Sequence, residues 1–241
     1  MSGRLIGVGV GPGDPELVTL KAIRTLNEAD LVAHFARNGS AGRARATVAG
    51  HLRPGIQELA LRYPVTIEIS KDAPAYQNAM REFYDAAALS LAAHLDAGRV
   101  VAVICEGDPL FYGSYMHLHV RLAPRFPAAV VAGVSGFSGC WSAAAMPIAQ
   151  GDDVFTVIPG TLPQEAITRC LDGADAAVVM KLGRNLPKVR RALAQSGRLD
   201  RAIYVERGTM PDAVVMRLAD KHDDAAPYFA LVLVPGWEAR R

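Results

Sequence analysis

Short, continuously apolar, β-branched runs alternate with longer amphipathic stretches along the whole 241-residue chain. Val100–Cys105 reads Val-Val-Ala-Val-Ile-Cys, and Tyr228–Val234 reads Tyr-Phe-Ala-Leu-Val-Leu-Val. A strand with one face in water alternates polar and apolar residues, whereas a strand covered on both faces need not. Strands are predicted at Leu5–Val10, Asp30–His34, Arg99–Cys105, Ala129–Val134, Asp153–Ile158, Ala176–Leu182, Ala202–Val205 and Tyr228–Val234. Helices are predicted at Pro15–Glu28, Pro74–Ala97, Ser114–Leu122, Pro163–Leu171 and Pro187–Gln195. Four of these helices open on proline, whose missing N–H costs nothing in a first turn. The alternation predicts an α/β protein with mainly parallel strand pairing.

Length allows one or two domains. The stretch 122–129, Leu-Ala-Pro-Arg-Phe-Pro-Ala-Ala, is the expected boundary, giving domains 1–125 and 126–241. With 51% hydrophobic residues each part can build a core. A formal net charge of +2 argues against nucleic acid as the main partner. Three cysteines without a C-x-x-C spacing exclude a zinc knuckle or dithiol motif, and no metal is expected. Without a signal-like start or a long apolar span, the expectation is a cytoplasmic protein with no membrane partner.

The strand ends carry the chemistry-bearing residues. Gly7-Val8-Gly9-Val10-Gly11-Pro12-Gly13-Asp14-Pro15 stands where a dinucleotide fold places its phosphate loop. The spacing fails: in the two possible frames the third glycine of G-x-G-x-x-G is Pro12 or Asp14. Asp14 also puts a carboxylate where a pyrophosphate would lie. A tight strand-to-helix turn and a loop beside a ligand without phosphate both remain open. Glu106-Gly107-Asp108-Pro109-Leu110-Phe111-Tyr112-Gly113 sets two carboxylates around a bent backbone; a strand stop with solvated acids is the plainer alternative. Ala132 to Trp141 misses the nucleophile elbow G-x-S-x-G in both frames. His117 and His119, two apart on a helix, do not share a face and are expected to pack or meet solvent rather than hold a metal. Residues 36–55 read as a basic loop or weak helix. Met180 to Asn185 and Glu206-Arg207-Gly208-Thr209 close two further strands.

Taken in order, these segments resemble the signatures of the tetrapyrrole methylase family. Val8 to Ala22 is similar to the family's opening signature, and Glu106 to Gly113 to its second. The likeness continues through Val134-Ser135, Met180 to Gly183, Glu206 to Thr209 and Ala230 to Pro235. Ala132 departs from the usual proline. The resemblance implies two α/β domains, a homodimer, and S-adenosyl-L-methionine as methyl donor, folded into the cleft between the domains beside the active site. It implies cofactor contacts at Pro12, Glu106, Gly107, Asp108, Tyr112, Ser135, Gly136, Met180, Lys181, Leu182, Tyr204, Val205, Glu206, Phe229 and Ala230. Glu106, Asp108 and Tyr112 are the candidates for assisting catalysis. The substrate is then a polycarboxylate tetrapyrrole, expected near Gly11 and Asp14. Cations suited to its carboxylates are Arg37, Arg43, Arg45, Arg53 and Arg184.

Overall fold

A computed structural model describes residues 3–64 and 73–236. Two compact units divide the chain, Met1–Ser135 and Gly136–Arg241.

The first unit runs β1 (Arg4–Gly9), α1 (Leu20–Glu28), β2 (Leu31–Ala36), α2 (Arg43–Thr47), β3 (Gln57–Arg62), α3 (Pro74–Asp96), β4 (Val100–Cys105), α4 (Tyr115–Leu122) and β5 (Ala128–Val131). Its sheet has the order β3-β2-β4-β1-β5, and every pairing is parallel. The uninterrupted apolar run of β4 follows from burial on both faces. Val101, Val103 and Cys105 pack with Tyr84, Leu91 and Leu95 of α3 and Leu118 of α4. Ala102 and Ile104 pack on the opposite face with Ala22 and Leu26 of α1 and Ala44 of α2. The expected domain boundary at 125/126 falls inside this unit, because β5 pairs with β1 from Leu5↔Ala128 to Val8↔Val131. Division therefore follows Ser135.

Pro15 opens only a short 3₁₀ turn, Pro15–Leu17, whose N-cap Asp14 accepts a hydrogen bond from the Glu16 N–H at 2.8 Å. Thr19 then caps α1 by accepting from the Ala22 N–H. The single predicted helix Pro15–Glu28 is thus two pieces, each with its own cap.

The second unit runs α5 (Gly136–Ala143), β6 (Phe155–Pro159), α6 (Gln164–Asp172), β7 (Ala176–Met180), α7 (Leu186–Gln195), β8 (Ile203–Glu206), β9 (Val214–Arg217) and β10 (Ala230–Val234). Sheet order is β6-β7-β10-β8-β9. Only β6 and β7 pair in parallel; β10 is antiparallel to both neighbours, and β9 to β8. Mainly parallel pairing therefore fails here. The physical reason is the absence of a covering helix between β8 and β10: the chain instead adds β9 at the edge and returns through a short 3₁₀ turn, Leu218–Asp220. One face of this sheet packs against α6 and α7 through Ile167, Leu171, Val189 and Leu193. The other face carries Val178, Val205, Leu231 and Leu233 against Cys140, Phe137 and Trp141 of α5.

Two strands, β3 and β9, were absent from the prediction. Gln-Glu-Leu-Ala-Leu-Arg is an edge strand broken by polar residues, and Val-Val-Met-Arg is an edge strand of only four residues, so neither gives a long apolar run.

Candidate active site

In the first unit, the loops after β1, β4 and β5 meet backbone to backbone. Gly107 donates its N–H to Gly11 O at 2.8 Å, and Val10 donates to Cys105 O at 2.9 Å. A Cβ on Gly9 would stand 2.6 Å from both Gly107 O and Gly133 N. One on Gly133 would stand 2.1 Å from Gly107 O. Here the glycines of the opening and third motifs are required for close approach.

Asp108 fastens the same meeting point. Its Oδ1 accepts from the Leu110 N–H at 2.9 Å and its Oδ2 from the Gly133 N–H at 3.2 Å. With a backbone donor on each oxygen, Asp108 shapes the loops rather than standing free as a base. Tyr112, with φ +54°, is half exposed beside Phe111, the two rings 4.8 Å apart edge to face.

Glu106 differs from both. Solvent reaches its side chain, yet protein crowds around the carboxylate, and this desolvation raises its pKa. Arg43, a hydrogen bond from the Ala44 backbone and Arg37 oppose the rise without cancelling it. A carboxylate that is reachable and more basic than usual has the properties wanted in a proton acceptor.

The five candidate arginines separate by partner. Arg45 forms a two-pronged pair with Glu58, Nη2 donating to Oε1 at 2.9 Å and Nε to Oε2. Arg53 donates to Ala29 O at 3.1 Å, tying its loop to the end of α1. Arg45 thus has both prongs on Glu58, and Arg53 has one donor on the protein. Arg37 and Arg43 instead bear electrostatically on Glu106. Arg184 is exposed in the 3₁₀ turn Gly183–Asn185 of the second unit.

In that unit, three segments gather along one sheet edge despite the antiparallel pairing. Ala230 lies opposite Glu206, and β10 runs alongside β7 from Ala177↔Val234 to Val179↔Val232. The ends of β7 and β8 therefore flank the start of β10. Arg207 donates its N–H to Phe229 O at 2.8 Å, and Gly160 donates to Met180 O at 2.7 Å. Lys181 and Arg207 hold positive φ, +59° and +47°. With Tyr112, three of the four non-glycine residues in this conformation among the described residues follow strand ends named by the motifs, and such strain concentrates at functional sites. Tyr204 and Val205 lie fully buried within β8, with the Tyr204 hydroxyl donating to Glu206. Their side chains form core, while Glu206 at the strand end is partly open.

Ser135 and Gly136 sit partly open where the two units join in sequence, and among the described residues nothing lies within 4 Å of a Cβ built on Gly136. That leaves room for a flat group against the backbone. Pro12 and Asp14 are partly open in the first loop, while Gly11 is buried. His117 stacks on Tyr84 with ring centroids 4.1 Å apart, and His119 Nδ1 lies 3.1 Å from the Tyr115 hydroxyl. Among the described residues no group of three His, Cys, Asp or Glu side chains is placed to hold a metal ion, and no helix is long and apolar enough to cross a membrane.

Residues 4–220 match the model of the tetrapyrrole (corrin/porphyrin) methylases. The chain belongs to that family. As a tetrapyrrole methylase it is 61% identical over 238 residues to a precorrin-2 C(20)-methyltransferase from Sinorhizobium sp, covering 99% of this chain and 97% of that one. A cobalt-precorrin-2 C(20)-methyltransferase from Salmonella typhimurium is 29% identical, covering 99% of each chain. Among solved structures, a cobalt precorrin-4 methyltransferase shares the fold at a TM-score of 0.70 and 21% identity, covering 97% of this chain and 95% of that chain.

Arg62, at the end of β3, was not among the sequence candidates, yet its Nη1 donates to Arg37 O at 3.1 Å. Its only signal was the alternation Glu58-Leu59-Ala60-Leu61-Arg62, which marks an edge strand with one charged face.

Proposed function

We propose that this methylase is a precorrin-2 C(20)-methyltransferase of cobalamin biosynthesis, converting precorrin-2 to precorrin-3A. The observation that carries the reading is 61% identity, end to end, with a protein of that name. S-adenosyl-L-methionine supplies an activated methyl group and carries no phosphate, which suits an opening loop that places Asp14 where a pyrophosphate would be repelled. Pro12, the Glu106–Asp108 turn, Tyr112 and Ser135 of the first unit are assigned to the donor. So are Gly136, Met180 to Leu182, Glu206 and Phe229–Ala230 of the second. Support comes from the strained or open backbone at several of these positions.

The reaction needs little beyond alignment of the ring carbon with the methyl group. The carbon–carbon bond forms as the sulfur–methyl bond breaks, and the proton displaced from the ring carbon must leave. Glu106 takes that proton in this reading, since Asp108 is bonded to two backbone amides. Arg37 and Arg43 meet carboxylates of the tetrapyrrole. Free cysteines, Cys105, Cys140 and Cys170, suit the reducing cytoplasm, and the family resemblance supports a homodimer.

Incubation with labelled methyl donor and precorrin-2, followed by locating the new methyl carbon, tests the assignment. Label at C-20 is expected. A parallel incubation with cobalt-loaded precorrin-2 tests the second reading, which rests on full-length likeness to the Salmonella enzyme; faster turnover there would reverse the choice of substrate. Glu106→Gln should lower kcat by about 10²- to 10⁴-fold. In the parent enzyme the acid limb of the pH profile should lie above the ordinary carboxylate range, because the raised pKa leaves Glu106 protonated as pH falls. The variant should lose that limb; a variant that retained it would remove Glu106 from the proton path.

A further inference from the structure

The edge strand β3 ties down the segment that carries Arg37 and Arg43. Leu59 and Leu61 pack with the core on one face of the sheet. Glu58 and Arg62, in alternate register, engage the chain between β2 and the end of α2. Arg62 Nη1 donates to Arg37 O at 3.1 Å and to Ser40 O at 3.3 Å. Glu58 receives both prongs of Arg45, and His34 Nε2 lies 3.9 Å from the same carboxylate. Within the segment, Ser40 Oγ accepts from the Gly42 N–H at 3.1 Å, and Thr47 Oγ1 donates to Arg43 O at 3.1 Å. Gly42 takes φ +80°, and a Cβ there would stand 2.2 Å from Phe35 O.

These bonds pin residues 37–47 at both ends while the segment remains at the surface. Arg62 spends one guanidinium nitrogen on two carbonyls of a loop that contributes little apolar packing of its own. The bonds therefore fix a direction for the backbone at Arg37 more than they strengthen the core. A loop ordered in advance spares the entropy that a mobile one would lose on binding an anion.

We propose that Arg62 is a positioning residue for the substrate, holding the Arg37–Arg43 segment as a preformed cation site for a carboxylate arm of the tetrapyrrole. The proposal rests on the methyltransferase reading above. Arg62 itself is spent on the protein and acts through the two arginines it places.

The test is a mutant cycle on the full-length enzyme, with precorrin-2 and S-adenosyl-L-methionine as substrates and thermal unfolding as a control. Arg62→Met, which keeps the stem and removes the donors, should raise KM for precorrin-2 by about 5- to 30-fold. The KM for the methyl donor should stay within about twofold of the parent, and Arg62→Lys should recover part of the loss in KM for precorrin-2. In an Arg37→Met/Arg43→Met background, Arg62→Met should add nothing further, because residues acting as one unit are not additive. An additive loss, an unchanged KM for precorrin-2, or an equal rise in both KM values would overturn the proposal. If Arg62→Met unfolds, the same cycle run with Arg62→Gln and Arg62→Lys decides. A parent enzyme that methylates no tetrapyrrole would instead sink the functional reading, and the two failures are thereby separable.

Discussion

The two units bring their loops to a sheet edge by different means. In the first, five parallel strands send every C-terminal end the same way, and the loops after β1, β4 and β5 touch through backbone at Gly9, Gly107 and Gly133. In the second, β10 runs against its neighbours, so the edge combines the ends of β7 and β8 with the start of β10. Side chains hold much of that edge. Arg207 Nη1 lies 3.2 Å from Glu206 Oε2, and Arg207 Nε lies 2.7 Å from Asp212 Oδ2. A backbone-packed edge cannot yield to a new atom, whereas a side-chain-held edge loses one bond at a time.

The sharpest way to break this contrast is Gly133→Ala. Its Cβ would fall 2.1 Å from Gly107 O and 2.8 Å from Gly9 Cα, with only backbone to displace. A loss of about 3 kcal/mol or more is expected in urea unfolding. Gly136→Ala, three residues on, meets open space on a helix and should be neutral or stabilising by up to about 1 kcal/mol. Equal stability of the two variants would show that the first edge is not close-packed.

Next in size is Asp108→Ala. Two backbone N–H groups, of Leu110 and Gly133, lose their acceptor, at a cost of about 1–3 kcal/mol. Calorimetric titration with S-adenosylhomocysteine should show weaker binding in parallel. If kcat fell while stability and that affinity both held, Asp108 would be acting on the reaction directly, and its shaping role would be wrong.

The same contrast explains what sequence could and could not show. All eight predicted strands exist, because a run such as Val100–Cys105 can only be covered on both faces. Pairing direction was not legible in the second half: Tyr228–Val234 is as apolar as a parallel strand, and nothing in it records that β10 runs backward. The motif positions were visible as glycine and charge at strand ends. Their division of labour was not, since Glu106 and Asp108 look alike in sequence and differ in the crowding around each carboxylate and in the backbone N–H groups that reach it. Nor did the sequence set Arg45 and Arg53 apart from their neighbours. Their partners, Glu58 and Ala29 O, come together only in the folded chain.

The smallest expected effect probes the second edge. Tyr204 is buried, and its hydroxyl donates to Glu206 Oε1; burial first, then this bond and the nearby negative charge, push its pKa upward, so it remains a neutral donor at physiological pH. Tyr204→Phe removes that donor and leaves the ring, which Lys221 Nζ approaches at 4.8 Å from the centroid. Glu206 keeps Arg207 on its other oxygen. The cost should therefore be about 0.5–1.5 kcal/mol in urea unfolding, well below that of Gly133→Ala. Affinity for S-adenosylhomocysteine should move by less than about threefold, because Arg207 continues to hold the carboxylate at the edge. A larger loss of affinity at unchanged stability would mean that the Tyr204 hydroxyl sets the position of Glu206 for the ligand, giving this edge a dependence on a single side-chain bond that the first edge does not have.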